Sequence, residues 1–260
     1  GARASYQAGA IQALYEIGHE LGIDQPFQIY SGTSAGSINA VNLAVYADKP
    51  QQAVKRMIDL WSNVTSSQIY KSDAVSILSS AIQLLGQTFL SALNANKKIR
   101  SVFDTDPLKE LLIREIPFKR IQKNIENKVM DSLTVTAMNY SAGNSCSFFQ
   151  CIRSEPWQRH QRIGVPAKIT IDHIMASTAI PILFPPARIG DQYFGDGNLR
   201  NYTPLSSAIR LNASKLVVVG TRRKLAHQPT HGIAAPSPAR VIGILLNSLL
   251  LDTIDLDYER

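Results

Sequence analysis

The stretch Ser31-Gly32-Thr33-Ser34-Ala35-Gly36-Ser37 decides the fold, because it sets a serine between two glycines where one sequence pattern gives way to another. Upstream, Phe27-Gln28-Ile29-Tyr30 reads as a strand; downstream, Ser37 to Tyr46 spaces its apolar residues at the helical period. A strand that turns at once into a helix is the setting of a Gly-x-Ser-x-Gly elbow, in which the serine hydroxyl stands exposed on the turn. Gly32 and Gly36 lack a Cβ, which is expected to let the backbone bend sharply and the helix lie close to its neighbours. Ser34 is therefore the candidate nucleophile, and the open N–H groups of the helix N-terminus suit an anionic intermediate beside it.

A second site lies far along the chain. Asp191-Gln192-Tyr193-Phe194-Gly195-Asp196-Gly197-Asn198 places an aspartate between glycines after an aromatic, strand-like run. Ahead of it, Ala176-Ser177-Thr178-Ala179-Ile180-Pro181-Ile182-Leu183-Phe184-Pro185-Pro186 is apolar but broken by three prolines. Proline lacks the N–H that a helix interior or a central strand requires, so this segment is expected as a packed irregular wall leading into the Asp196 strand.

With Gly1-Ala2-Arg3, these motifs resemble the patatin-like phospholipases, lipid acyl hydrolases marked by a glycine-rich oxyanion turn, a Gly-x-Ser-x-Gly elbow, an Ala-Ser-x-Ala-x-Pro segment and an Asp-Gly pair. All four occur in that order, the last three as Gly32 to Gly36, Ala176 to Pro181 and Asp196-Gly197. The resemblance implies a Ser–Asp dyad, with Ser34 as nucleophile, Asp196 as general base and Gly197 completing the acid motif. It also implies an oxyanion hole from backbone N–H groups near Gly1, Ala2 and Arg3, and no cofactor. Two departures stand out. The family's turn reads Gly-Gly-Gly-x-Arg-Gly, whereas this sequence opens at the third glycine and has Ala4 in place of the last. The expectation is a single patatin-like catalytic domain over 1–260 that lacks its first strand and the start of that turn. Asn198 stands where glycine or alanine is usual, and its tolerance of positive φ makes this a mild change.

The remaining pattern fits one α/β domain. At 260 residues and 45% hydrophobic, the chain can bury a sizeable core. Ser5 to Leu21 reads as a helix with Ala10, Leu14, Ile17 and Leu21 on one side and Gly22 as its stop; Pro50 to Trp61 and Pro107 to Glu115 read as further helices. Leu133 to Met138 and Cys146 to Ile152 read as strands, and Leu216-Val217-Val218-Val219 as a buried parallel strand. This alternation predicts a three-layer α/β/α sandwich around a mostly parallel sheet, and the family resemblance implies the same. Val75 to Leu93 is an amphipathic segment that reads either as a core-facing helix or as a lid over the site. The apolar run from Val241 to Leu251 is too short and too interrupted to span a bilayer.

Cys146 and Cys151 fall on opposite faces of one strand, so no disulfide is expected between them, and no Cys/His spacing suggests a metal. The net charge of +7 gathers in Lys97 to Arg100, Lys119 to Lys123, Arg159 to Arg162 and Arg222 to Lys224. Such clusters favour an anionic membrane surface, and no nucleic-acid-binding signature accompanies them. Cytoplasmic or peripheral-membrane location is the matching expectation.

The activity expected is hydrolysis of carboxylic esters of phospholipids, lysophospholipids or glycerides. An acyltransferase or general carboxylesterase with the same dyad, and a catalytically silent lipid-binding module, are the alternatives. A Ser–His–Asp hydrolase would place its histidine after the acid, leaving His227 and His231, which lie in a polar, proline-bearing stretch that reads as surface.

Overall fold

The longest strands, Ser132–Asn139 (β2) and Asn144–Cys151 (β3), form an antiparallel hairpin at the middle of a seven-stranded sheet. The computed structural model describes residues 2–70, 103–153, 155–200 and 204–220. Beyond β3 lie Arg162–Pro166 (β5), parallel to it, and then Trp157–Arg159 (β4). The other edge of β2 is shared. Ile29–Thr33 (β1) runs parallel along Ser132 to Thr136, while Gln192–Asp196 (β7) runs antiparallel along Ala137 to Asn139, with Ala187–Ile189 (β6) outside it. Among the described residues the sheet is thus mixed: β1–β2 and β3–β5 are its parallel pairs and the other four pairings are antiparallel, where a mostly parallel sheet was expected. Tight hairpins, such as Tyr140 to Gly143 between β2 and β3, make the difference, since only antiparallel strands can be joined so briefly.

Helices flank this sheet as in an α/β/α sandwich. They are Ala2–Glu20 (α1), Ala35–Val45 (α2), Pro50–Asn63 (α3), Ser66–Ile69 (α4), Asp106–Glu115 (α5), Lys119–Glu126 (α6), Ile171–Thr178 (α7) and Ser206–Arg210 (α8). The helix after the elbow, α2, packs on β1 and β2 and is buried from Ser37 to Val45. Its polar residues are all satisfied: Ser37 Oγ donates to Ser34 O, Asn42 Nδ2 to Ala53 O, and Asn39 Oδ1 accepts from Trp61 Nε1. Burial without that pairing would cost about 2–7 kcal/mol per group, so the polar side chains fix where α2 sits.

Three expectations change here. First, α1 buries Ala4, Ala8, Tyr15 and Gly18, and turns Ile17 and Leu21 to solvent. Small residues decide this face, because they let α1 lie close while Tyr15 packs edge-on against Phe27 at 5.7 Å and shares a hydrogen bond with the Tyr30 hydroxyl. Its end is as expected: Gly22 takes φ 73 and Ile23 N donates back to Gly18 O at 2.7 Å, closing the helix. Second, Leu216 to Val219 is not a strand of the sheet, and Val217 is 58% exposed. A β-branched run becomes a strand only where another strand offers its edge, and here a side chain takes that place, with Gln7 Nε2 donating to Val219 O. Third, Ala176 to Thr178 belongs to the last turn of α7, so the irregular wall begins only at Ala179. Pro181 bars the helical conformation at the residue just before it, Ile180, and leaves the earlier residues free to stay helical. Cys146 and Cys151 are both free thiols.

The segment Val75 to Leu93, the run Val241 to Leu251, the clusters Lys97 to Arg100 and Arg222 to Lys224, and Gly1 all lie outside the described residues.

Candidate active site

Two strand ends meet on β2. Travelling up β1, Thr33 pairs with Thr136; travelling the opposite way along β7, Asp196 pairs with the next β2 residue, Ala137. The chain leaves β1 directly into Ser34, so the serine and the aspartate arrive side by side although they are 162 residues apart in sequence. Ser34 Oγ donates to Asp196 Oδ2 at 2.5 Å.

The turn that achieves this is strained. Ser34 holds φ 52, ψ −131, a region that residues with a Cβ rarely occupy and that costs of the order of 1–3 kcal/mol. Its backbone is held from outside: Ser34 N donates to Ser177 Oγ at 2.9 Å, and Ser177 Oγ donates onward to Thr136 O at 2.6 Å. From the helix side, Ser37 N and Ser37 Oγ both donate to Ser34 O. Gly32 is obligatory, since a Cβ there would stand 2.3 Å from Gly36 O. Gly36 is not required in this way. A Cβ on it would meet nothing nearer than Gln7 Oε1 at 3.8 Å, so the close approach expected of both glycines belongs to Gly32 alone.

Asp196 is fixed as tightly. Its N–H donates to Ala179 O at 2.8 Å, and its Oδ1 accepts from Asn198 N at 2.9 Å in the 3-10 turn Gly197–Leu199. Asn198 acts here through its backbone N–H, and its φ is not among the positive values. Gly197 lies against β2 with no room to spare: a Cβ would be 2.2 Å from Thr136 O and 2.6 Å from Thr33 Cγ2. The carboxylate is fully buried at 0% exposure. Burial pushes its pKa up to about 6, and the hydrogen bonds from Ser34 and Asn198 pull the other way, so desolvation wins.

No histidine among the described residues takes part in this pair. His173 is buried against Phe148 and accepts from Thr170 N as part of the α7 capping box, and burial lowers its pKa to about 4, leaving it neutral and structural. His227 and His231 lie outside the described residues. Of the expected oxyanion groups, Ala2 and Arg3 form the first turn of α1, whose leading N–H groups have no acceptor within the helix; the same holds for Ala35 and Gly36 at the start of α2. No group of three or more His, Cys, Asp or Glu among the described residues is placed to hold a metal ion. A half-open pocket of about 150 Å3 with mixed polar and apolar walls lies between α1, β1 and α2, lined by Gln7, Ile11, Phe27, Asn39, Leu43 and Val217 among others; neither Ser34 nor Asp196 lines it.

Ser177 and Thr136 are the site residues that sequence reasoning missed. Ser177 was visible in the Ala-Ser-x-Ala-x-Pro segment, but only the meeting of α7 with β2 gives it a task.

The model of the family described as patatin-like phospholipase matches residues 1–209 of the chain. No curated protein and no solved structure matches it.

Proposed function

This chain belongs to the patatin-like phospholipase family, and we propose that within that family of lipid hydrolases it cleaves the carboxylic esters of phospholipids, lysophospholipids or glycerides through Ser34 and Asp196. The observation that carries the proposal is the 2.5 Å hydrogen bond from Ser34 Oγ to a fully buried carboxylate on a strained turn. A neutral serine is a weak nucleophile and needs its proton removed as it attacks. Ser34 Oγ adds to the acyl carbonyl carbon while its proton passes to Asp196 Oδ2. The tetrahedral oxyanion then collapses, the bond to the alcohol oxygen breaks, and Asp196 returns the proton to that oxygen as it leaves. Water repeats the cycle on the acyl-serine, giving up its proton to Asp196, and the carboxylic acid departs as Ser34 recovers its hydroxyl proton. A carboxylate with a pKa raised from 3.8 to about 6 is a better base at neutral pH than an ordinary aspartate, though still weak, which suits esters better than amides.

By family resemblance, the developing oxyanion is assigned to backbone N–H groups near Gly1, Ala2 and Arg3. The substrate surface is proposed to be anionic lipid, drawn by the exposed Lys119 and Lys123 on α6 and by Arg159 at the β4–β5 turn, at about 1 kcal/mol per basic residue near the surface. A panel of acyl esters assayed with the purified protein and with Ser34→Ala tests the reading. Turnover that falls by several orders of magnitude in the variant is expected. Residual activity above about a tenth of the parent would remove Ser34 from the nucleophile's role.

A further inference from the structure

The wall between α7 and β6 carries an exposed aliphatic side chain in a conformation it should avoid. Ile182 has φ 71, in the left-handed region where a β-branched residue is a clear outlier, and it is 52% exposed. An isoleucine gains nothing from either condition. Strain of this kind persists only where the surroundings fix it, and here they do. Phe184 N donates to Ile180 O at 2.8 Å, closing a tight turn whose tip is Pro181-Ile182-Leu183, and Phe103 N donates to Leu183 O at 2.9 Å. Behind the turn, the Phe103 ring packs on Tyr70 at 4.4 Å and on Phe184 at 6.4 Å. Prolines at 181 and 185 stiffen it further.

The turn springs from the dyad itself. Ala179, whose carbonyl accepts from Asp196 N, is three residues before Ile182, so at no more than ~3.5 Å per residue the tip lies within about 10 Å of the backbone that holds the base. A rigid apolar turn tip this near the backbone that holds Asp196 is within reach of a fatty acyl chain extending from the ester carbonyl. Resting on the ester hydrolase reading above, we infer that Ile182 is a contact for the acyl chain of the substrate and sets the preference for chain length.

The test uses Ile182→Asn, since asparagine tolerates positive φ and the turn should keep its shape. Monomeric p-nitrophenyl esters from acetyl to dodecanoyl, kept below their micelle concentrations, give kcat/KM against chain length. The ratio of long to short should fall about tenfold in the variant, the low end of what one methylene is worth in an apolar site. A uniform loss at all lengths, or none, would overturn the inference, as would a loss seen only on vesicle-borne substrate, which would make Ile182 a surface-inserting residue instead. Binding of non-hydrolysable methyl ketones of the same lengths, followed by calorimetry, separates the two readings. If the parent hydrolyses no ester but binds ketones more tightly as they lengthen, and Ile182→Asn flattens that rise, the contact stands and the hydrolase reading falls. If the parent's ketone affinity does not depend on length, or the variant retains the dependence, the contact is refuted.

Discussion

Replacing Asp196 by asparagine should abolish turnover and make the protein more stable at neutral pH. The carboxylate sits at 0% exposure, and burial raises its pKa from 3.8 to about 6. At 1.36 kcal/mol per pH unit, the buried charge costs about 3 kcal/mol once both folded and unfolded forms are ionised. Asparagine is neutral and nearly isosteric. Its carbonyl oxygen can still accept from Asn198 N, and its amide can donate to Ser34 Oγ, so neither hydrogen-bonding position is orphaned. Between pH 3.8 and about 6 the folded protein binds more protons than the unfolded chain, so the parent loses stability as pH rises through that window and levels off above it. Asp196→Asn removes that slope. Urea unfolding should therefore show the variant about 3 kcal/mol more stable at pH 7.5 and only about 1 kcal/mol more stable at pH 4.5, with a melting temperature higher by roughly 6–12 °C at the upper pH. A variant that is less stable at pH 7.5, or one whose advantage does not shrink on acidification, would refute the claim that desolvation dominates this carboxylate.

The same carboxyl should give kcat/KM an acid limb, falling tenfold per pH unit below about 6, and a profile flat from pH 8 down to 4 would contradict Asp196 as the base. The two elbow glycines should behave oppositely: Gly32→Ala should fail to fold or be severely destabilised, whereas Gly36→Ala should gain about 0.5–1 kcal/mol in chemical denaturation, because alanine favours the helix and has room there. Ser177→Ala should cost about 1–3 kcal/mol by leaving Ser34 N and Thr136 O without their shared partner, and should lower kcat more than it raises KM as the elbow loosens. Ser177→Thr, which keeps the hydroxyl, should recover part of both effects.

Much of the site was legible because its signals are local. The elbow is written in Gly32-Thr33-Ser34-Ala35-Gly36 and the acid in the Asp196-Gly197 pair, although the reason for that glycine, the backbone of Thr136, shows only in the fold. Helix ends obeyed the same logic, as Gly22 shows at α1. The features that escaped all depend on a partner. The buried face of α1 is set by how closely Ala4 and Ala8 let it approach its neighbours, and a helical wheel counts such residues as weak. Leu216 to Val219 has a strand's composition without a place in the sheet. The direction of each strand is set by the connections between them, so the mixed sheet could not be read from alternating runs of helix and strand. Ser177 lies within the Ala-Ser-x-Ala-x-Pro motif, yet its bridge needs α7 and β2 together.

Because β1 and β7 dock end to end along one edge of β2, the proposed catalytic pair exists only after strands from distant parts of the chain have both found their register. A shift of a single residue on either side would turn Ser34 or Asp196 to the opposite face of the sheet. The proposed hydrolysis therefore requires both strands to be in register. Partly assembled chains would be inert toward esters, and the appearance of esterase activity during refolding would time the closure of the sheet more sharply than any spectroscopic probe of helix content.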